Sequence, residues 1–354
     1  MNGQYNIWNK WDKLETVMLG DCYAPEFFRD IKNPRIRSAL DRIATETKED
    51  LENYEKVLRD FGCVVIRPQM LINESIMDHI NDEGAVRGSQ GVPKAPLQPR
   101  DAQMVIGNSL MITSSNDHKS ILKELQSYNK KDIKILDIGG ALVSAPSFTL
   151  IGKDLYIDRH PLNNVTDRHI SILSRQYPDI RLNTLNIGGH NDGSFHVLKE
   201  GIILTLYDIQ HYSETFPGWE ICYLQNQSWN GNNEFLKMKE KVSGKWWVPG
   251  EEDNDEFTFF VETWLKDWVG YCEETVFDVN VLMLDKHHVC VSSYNKIAFE
   301  FFKKHHIEPI IVPWRHRFFW DGGLHCITLD LYREGHMEDY FPQRTESIND
   351  LGFD

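Results

Sequence analysis

Cysteine is scarce in this chain of 354 residues, and no two cysteines form a CxxC pair. The six cysteines stand far apart along the sequence, at positions 22, 63, 222, 272, 290 and 326. This spacing argues against a disulfide framework and against a zinc knuckle, so each cysteine is judged by its local setting. Paired histidines such as His287 and His288 do not indicate a metal site either, because neighbours on a strand point to opposite faces.

Positive charge is also in deficit. The chain has 38 Lys plus Arg against 53 Asp plus Glu, a net charge of −15 that would repel phosphate backbones and anionic lipids. No run of 18 apolar residues occurs, and the opening MNGQYNIWNKWDKLETVMLG lacks the pattern of a signal peptide. We therefore expect a soluble, cytoplasmic protein without nucleic-acid or membrane partners.

What the sequence does contain is a recurring hairpin. Four segments consist of an apolar strand, a short polar turn and a second apolar strand. They are DAQMVIGNSLMIT from Asp101, SFTLIGKDLYID from Ser147, SFHVLKEGIILTL from Ser194 and VNVLMLDKHHVCVSS from Val279. Gly107, Gly152, Gly201 and Lys286 mark their turns.

Helical patterns such as HKSILKELQSY and KIAFEFFKKHH alternate with these hairpins, and a further strand follows each helix. Those strands are CVVIRP, DIKILDIGG, DIRLNTLNIGG and IEPIIVPWR. The result is a hairpin, helix and strand unit that recurs along the chain and predicts an α/β fold. A fifth unit would form if the N-terminal ETVMLG paired with the C-terminal LHCITLD, closing a ring over residues 1–354 as one domain.

The segment at about 211–268 departs from this period. It holds six of the ten tryptophans and the acidic run EEDNDE, Glu251 to Glu256. One interpretation is a lid or a subunit contact, which would make the protein a homodimer. The other is an inserted helix pair that is packed by its aromatic side chains and carries a solvated acidic loop.

If the units surround an axis, the residues that begin each hairpin face one central cavity. These residues include Asp101, Ser144, His190, Asp192 and Cys326. A cysteine, a histidine and two carboxylates suit nucleophilic catalysis on a cation, because carboxylates match the forked N–H groups of a guanidinium. Taken alone, however, a cysteine at such a position is more often a core residue, and His190 could merely cap a turn.

The motifs around these residues resemble those of the amidinotransferases in the guanidino-group-modifying superfamily, the glycine amidinotransferase branch in particular. The resemblance extends over nearly the whole chain. It is carried by WDKLETVMLG, PRDAQMVIGN, GKDLYI, HNDGSFHVLKEGIILT and GGLHCITLDLYREG. The HxD before a strand pair and the C-terminal GGxHCxT are the specific elements.

This resemblance implies a five-fold pseudosymmetric α/β propeller, the pentein fold. It also implies that Cys326 is the nucleophile, that His190 is the general acid and base, and that Asp101 and Asp192 hold the donor guanidinium. The family reaction passes through an amidino-cysteine and transfers the amidino group to an amine. Neither a metal nor an organic cofactor is expected.

Two positions depart from the family pattern. Where relatives have an acidic residue that orients the histidine, this chain has Ser144; Asp137 in LDIGG is a substitute candidate, or else a solvent-facing or turn-capping residue. Where relatives have an arginine for the donor carboxylate, this chain reads LTLYDIQ. Arg100, Arg315 and Arg317 are the candidates to replace it, and each could equally be a surface ion pair.

We therefore expect an amidinotransferase acting on small molecules, a guanidino donor such as L-arginine and an amine acceptor. One alternative is a hydrolase of the arginine deiminase or dihydrolase type, in which water discharges the same intermediate. The other is a catalytically impaired pseudoenzyme that retains guanidinium binding, an interpretation that Ser144 favours.

Overall fold

The computed structural model describes residues 3–70, 74–80, 92–113, 119–136, 143–206, 212–224, 227, 233–242, 245–269, 277–345 and 347. Within these ranges the strands are short and mostly buried on both faces, as expected for sheets packed between other elements. They are β1 (Lys13–Leu19), β2 (Val64–Ile66), β3 (Gln103–Ile106), β4 (Ser109–Ile112), β5 (Ile133–Ile135), β6 (Phe148–Ile151), β7 (Asp154–Asp158), β8 (Arg181–Leu185), β9 (Phe195–Lys199), β10 (Ile202–Thr205), β11 (Glu220–Tyr223), β12 (Leu282–Asp285), β13 (His288–Val291), β14 (Glu308–Ile311) and β15 (Thr328–Glu334).

The helices of the described residues connect or flank these strands. They are α1 (Pro34–Asp60), α2 (Lys119–Tyr128), α3 (Asp167–Gln176), α4 (Asn191–Ser194), α5 (Tyr212–Thr215), α6 (Asn233–Val242), α7 (Asp255–Trp264), α8 (Lys296–Lys304) and α9 (Arg317–Trp320). Short 3-10 turns occupy Pro25–Phe28, Ile76–Asp78, Ala145–Ser147 and Pro161–Asn163. Asn side chains cap α1, α7 and α8 by accepting backbone N–H bonds of the first turn.

Five three-stranded sheets follow one plan. In each, an antiparallel pair is extended by a third strand that runs parallel to the middle strand, in the orders β3-β4-β5, β6-β7-β8, β11-β10-β9, β12-β13-β14 and β15-β1-β2. The four predicted hairpins and the four following strands are therefore confirmed. Gly107, Gly152 and Gly201 have φ of +56°, +56° and +79° in three of the turns, a region that glycine enters without steric strain.

The predicted pairing of the chain ends is also confirmed. β1 pairs antiparallel with β15, with Leu19 opposite Thr328 and Lys13 opposite Glu334. The first sheet thus combines strands from the two ends of the chain. Its middle strand is β1, and β2 completes it after the long helix α1.

Neighbouring sheets contact one another through their first strands and through the turns before them. β15 contacts β3, β3 contacts the 3-10 turn before β6, that turn contacts α4 before β9, and β1 contacts β12. A shared apolar cluster joins the β9 and β10 hairpin to the β12 and β13 hairpin. These contacts therefore link the five units to one another.

The tryptophan-rich segment contributes to two parts of the fold. Its strand β11 is the third strand of a sheet, and α7 contacts α1 and α6. Trp246 and Trp268 are completely buried, and Trp268 stacks on Trp320 with ring centroids 5.7 Å apart. The indole of Trp246 donates to Glu262 at 2.6 Å. These aromatic side chains join the segment to the main core.

One local prediction was wrong. The run around Cys326 resembles a buried strand, but β15 begins only at Thr328 and Cys326 lies in the turn before it. Backbone bonds from Ile327 to Gly323 and from Thr328 to His325 curl this stretch before the strand begins. Separately, no helix among the described residues is long and apolar enough to cross a bilayer.

Candidate active site

Polar side chains collect where the first strands of the units begin. Asp101 lies two residues before β3, and Ser144 lies directly before the 3-10 turn that leads into β6. His190 is the N-cap residue of α4, Asp192 lies within that short helix, and Cys326 lies two residues before β15. The contacts between neighbouring units bring these five residues together.

Ser144 and His190 form a direct contact across two units. The Ser144 hydroxyl lies 2.7 Å from Nε2 of His190, and the two atoms share a hydrogen bond. Both residues are half-buried. The serine therefore gives the histidine a neutral hydrogen-bond partner instead of a charged one.

Cys326 is buried beside two carboxylates. Its Sγ lies 3.6 Å from Oδ2 of Asp192 and 3.1 Å from Nδ2 of Asn280, and the residue is 1% exposed. Burial raises the pKa of the Cys326 thiol well above its usual value, and the negative charges of Asp192 and Asp101 raise it further. The hydrogen bond from Asn280 acts in the opposite direction. The thiol is consequently protonated when no cation occupies the site.

One carboxylate oxygen of Asp192 accepts a hydrogen bond, and the other is a candidate contact for a ligand. Nδ1 of His325 lies 2.6 Å from Oδ2 of Asp192, and both side chains are buried. Burial, followed by the charges of Arg100 and Lys10, lowers the pKa of His325 well below its usual value, so a neutral imidazole donates Nδ1–H to the carboxylate. Oδ1 of Asp192 is buried and has no hydrogen-bond partner among the residues that the structure describes. A buried, unpaired carboxylate oxygen is suited to an N–H donor from a ligand.

Asp101 belongs to the same electrostatic cluster. Burial raises its pKa, the nearby charges of Lys94 and His190 lower it, and Asp192 raises it again. The two carboxylates and the thiol therefore interact with one another, as a binding site for a cation requires.

A narrow cavity of about 40 Å³ lies beside this cluster and is lined in part by Asp192, His325, Lys10 and Arg100. Burial lowers the pKa of Lys10 to about 8, although the charge of Asp192 opposes this effect. Across the described ranges, no group of three or more His, Cys, Asp and Glu side chains could hold a metal ion.

The arginine candidates have protein partners. Arg100 is buried and donates through Nε to the carbonyl oxygens of His325 and Thr328, and through Nη2 to Asp330 at 2.7 Å. Arg315 pairs with Asp50 and Glu49, and Arg317 pairs with Asp278 at 3.5 Å. These contacts favour structural ion pairs over a carboxylate site. Asp137, the candidate substitute behind His190, lies outside the described residues.

Sequence reasoning missed Asn280 and His325. A signal for Asn280 existed, because it lies two residues before β12, as Asp101 does before β3 and Cys326 does before β15. Extending the argument about hairpin starts to the fourth hairpin would have identified it. His325 had no such signal beyond its position next to Cys326, since its partner Asp192 lies 133 residues away in sequence.

The curated proteins that are similar to this chain include two amidinotransferases. Glycine amidinotransferase, mitochondrial, of Xenopus laevis is 23% identical over 94% of this chain and 84% of its own length. The L-arginine:L-lysine amidinotransferase of Pseudomonas savastanoi pv. phaseolicola is 22% identical over 94% of this chain and 95% of its own length. No family profile matches the chain.

Solved structures agree on the fold. SxtG, an amidinotransferase of Microseira wollei in the saxitoxin biosynthetic pathway, superposes with a TM-score of 0.65 at 19% identity, covering 95% of this chain and 99% of that one. A dimethylarginine dimethylaminohydrolase bound as an adduct with S-methyl-L-thiocitrulline superposes with a TM-score of 0.53 at 11% identity, covering 89% and 99%.

The structural likenesses show that the chain shares the fold of these two proteins, and in this chain that fold is mixed α/β with five small sheets among the described residues. The curated relatives are more specific. They confirm the predicted resemblance to the amidinotransferase family and the prediction that the chain is an enzyme of that class, with amidino transfer between small molecules as the family reaction.

Proposed function

We propose that this enzyme moves an amidino group from a guanidino donor, L-arginine, to an amine acceptor through a covalent intermediate on Cys326. The observation that carries the proposal is the geometry around Asp192. Its Oδ2 is 3.6 Å from the Cys326 sulfur, while its Oδ1 is buried and unpaired. A guanidinium that donates to this oxygen and to Asp101 would lie next to the sulfur.

Because the pKa of Cys326 is raised, we expect the donor to bind before the thiolate forms. Without a donor, the two neighbouring carboxylates oppose formation of the thiolate. A bound guanidinium neutralises them, which favours the thiolate only when substrate is present. The thiol proton passes to His190, the sulfur attacks the guanidino carbon, the C–N bond to the departing amine breaks, and His190 gives the proton to that amine.

In the second half of the reaction, the acceptor amine takes the amidino group from Cys326 by the reverse of these steps. His190, now neutral, takes a proton from the acceptor, whose nitrogen attacks the amidino carbon. The C–S bond breaks and the cysteine is released. Glycine and L-lysine, which the names of the relatives contain, are the first acceptors to test. The hydrogen bond between Ser144 and His190 orients the imidazole, which supports a catalytic role for the histidine over a protein that only binds guanidinium groups.

We also propose that the five units close into a pseudosymmetric propeller, the pentein fold, forming a single domain with an insertion at about 211–268. The contacts that link each unit to the next, and the β1 and β15 pair that joins the chain ends, support this closure. A homodimer and a cytoplasmic location stay predictions.

The proposal is tested by intact mass after incubation with L-arginine. We expect wild type to gain the mass of one amidino group and Cys326→Ala to gain nothing. Cys290→Ala is the matched control, because Cys290 is a completely buried core residue of β13 and its loss should leave the adduct in place. No adduct and no turnover with any guanidino donor would exclude the proposed chemistry.

Product analysis separates transfer from hydrolysis, the alternative favoured by the structural likeness to a dimethylaminohydrolase. A new guanidino compound that forms only when an amine is added means transfer. Citrulline formed from arginine alone means that water discharges the intermediate.

A further inference from the structure

The side chain of Asn280 joins the candidate nucleophile to the backbone of Asp192. Its Nδ2 lies 3.1 Å from Sγ of Cys326 and donates to the backbone carbonyl of Asp192, also at 3.1 Å. Asn280 is 2% exposed, so these contacts are shielded from water. A single amide group therefore contacts both halves of the site.

The orientation of this amide follows from its oxygen. Oδ1 of Asn280 accepts the backbone N–H groups of His325 at 3.0 Å and of Cys326 at 3.2 Å. Two fixed backbone donors require the oxygen on that side, which leaves the NH₂ group facing the sulfur. The oxygen also explains Gly323, because a Cβ there would lie 2.6 Å from it.

We propose that Asn280 is a positioning residue for Cys326: it holds the turn that carries the sulfur and donates an N–H bond that stabilises the thiolate as it forms. The role of the thiolate rests on the proposed function, whereas the effect of Asn280 on the sulfur can be measured without turnover. The other side chain hydrogen-bonded to this sulfur among the described residues is Asp192, whose carboxylate accepts the S–H and cannot stabilise negative charge.

The chemistry of the site explains why such a donor is needed. Asp192 and Asp101 favour the protonated thiol, and a donor guanidinium relieves this effect only in part, because it must also satisfy the carboxylates. A neutral amide adds a hydrogen bond to the sulfur without repelling the substrate cation. Lysine or arginine at position 280 would stabilise a thiolate more strongly, but would compete for Asp192.

The test compares the alkylation of Cys326 by iodoacetamide in wild type, Asn280→Asp and Asn280→Leu, followed by mass spectrometry of the Cys326 peptide from neutral to mildly alkaline pH. Asn280→Asp keeps the oxygen that accepts the two backbone bonds and removes the donor. Asn280→Leu removes the donor without adding charge. Asn254→Asp is the matched control, because Asn254 is also buried but bonds to Glu251 and Phe257.

We expect alkylation of Cys326 to be about ten- to a hundredfold slower in Asn280→Asp, since a hydrogen bond to a charged group is worth roughly one to two pKa units. The control should react like wild type. A merely unfolded variant would expose the cysteine and react faster, so slowing is specific to the lost donor. Asn280→Leu should also be slower, which shows that the charge added by the Asn280→Asp substitution is not the sole cause.

Equal rates in wild type and Asn280→Asp, whether both are fast or both are undetectable, would overturn the assignment. The outcome is independent of the arginine adduct. If alkylation slows as expected but no adduct forms with any guanidino donor, the proposed function fails while the contact between Asn280 and Cys326 keeps its role. If the adduct forms but alkylation is unchanged in Asn280→Asp, the proposed function is supported while the proposed role of Asn280 fails.

Discussion

At the scale of single residues, Ser144 departs from the acidic residue that the family resemblance implies at this position. A carboxylate behind a histidine orients the ring and stabilises the imidazolium, whereas a hydroxyl only orients it. The contact of 2.7 Å between the Ser144 hydroxyl and His190 is short enough to select one ring orientation. The histidine is therefore positioned, but it gains no charge partner from this side.

We predict that Ser144→Ala lowers kcat by about ten- to a hundredfold, which is less than the loss of the general acid itself, while the fold stays stable. Steady-state kinetics with arginine and the acceptor measure this. Ser147→Ala is the control, because its hydroxyl lies in the same 3-10 turn and has no hydrogen-bond partner. An unchanged kcat in Ser144→Ala would show that the serine does not orient His190.

The reverse substitution has a defined pH signature. In Ser144→Asp, a carboxylate beside the ring favours the imidazolium form of His190. Any step that needs neutral His190, such as proton removal from the acceptor, should then require a higher pH. In the profile of kcat/KM for the acceptor against pH, the acid limb should move to higher pH. An acid limb at the same pH as in wild type would contradict the assignment of His190 as the base.

At the scale of elements, a buried ion network connects β15 to the segments around it. Asp330 lies between Arg333, at 2.8 Å, and Arg100, at 2.7 Å. Arg333 also donates to the carbonyl oxygens of Asp12 and Met283, next to β1 and in β12. The strand that follows Cys326 is thereby tied to three other parts of the fold.

Asp330→Asn should destabilise the protein by about 3–5 kcal/mol, because two buried guanidinium charges lose their counter-ion. Denaturant unfolding measures this change. Asp285→Asn is the control: its partner His288 is about one-third exposed, and the loss should be below about 1 kcal/mol. If both variants lost a similar free energy of unfolding, the buried network would contribute no more to stability than an exposed ion pair does.

The same network predicts a pH dependence. Burial alone would raise the pKa of Asp330, but Arg333 and Arg100 outweigh burial and hold it far below the usual range. A carboxylate whose folded pKa is depressed stabilises the fold above its unfolded pKa of about 4, and this contribution is lost progressively as pH falls below that value. Wild type should lose stability on acidification more steeply than Asp330→Asn.

The elements were largely predictable from sequence, and the reasons are local. Glycine at the turn positions and alternating apolar strands identified the hairpins, and helical periodicity identified α2 and α8. The start of β15 was misplaced because the apolar run continues through Cys326, while the turn there depends on bonds to Asn280, 46 residues earlier. Local pattern carries no information about such a partner.

The site was predictable in part for a similar reason. Asp101, Ser144, His190, Asp192 and Cys326 all lie two to five residues before the first strand of their units, so the repeat predicts that they lie near one another. Their pairing does not follow from the repeat. The bonds of Asp192 to His325 and of Asn280 to Cys326 depend on how separate units are oriented relative to one another, which side-chain packing decides.

At the scale of the whole molecule, the pairing of β1 with β15 holds the two ends of the chain together. We predict that truncation before Thr328, which removes β15, abolishes cooperative unfolding, because β1 loses its antiparallel partner and Arg100 loses Asp330. Circular dichroism during thermal unfolding measures this. Removal of residues 348–354 is the control, and a truncated protein that still unfolds cooperatively would contradict the prediction.

This pairing also has a consequence for biosynthesis. β1 leaves the ribosome well before its antiparallel neighbour β15 is translated. This edge of β1 therefore stays unpaired during that interval, and such an edge is a site for wrong pairing with other chains. Because Cys326 lies two residues before β15, the candidate nucleophile reaches its place only when β15 pairs with β1, so a nascent chain without β15 should lack the proposed activity.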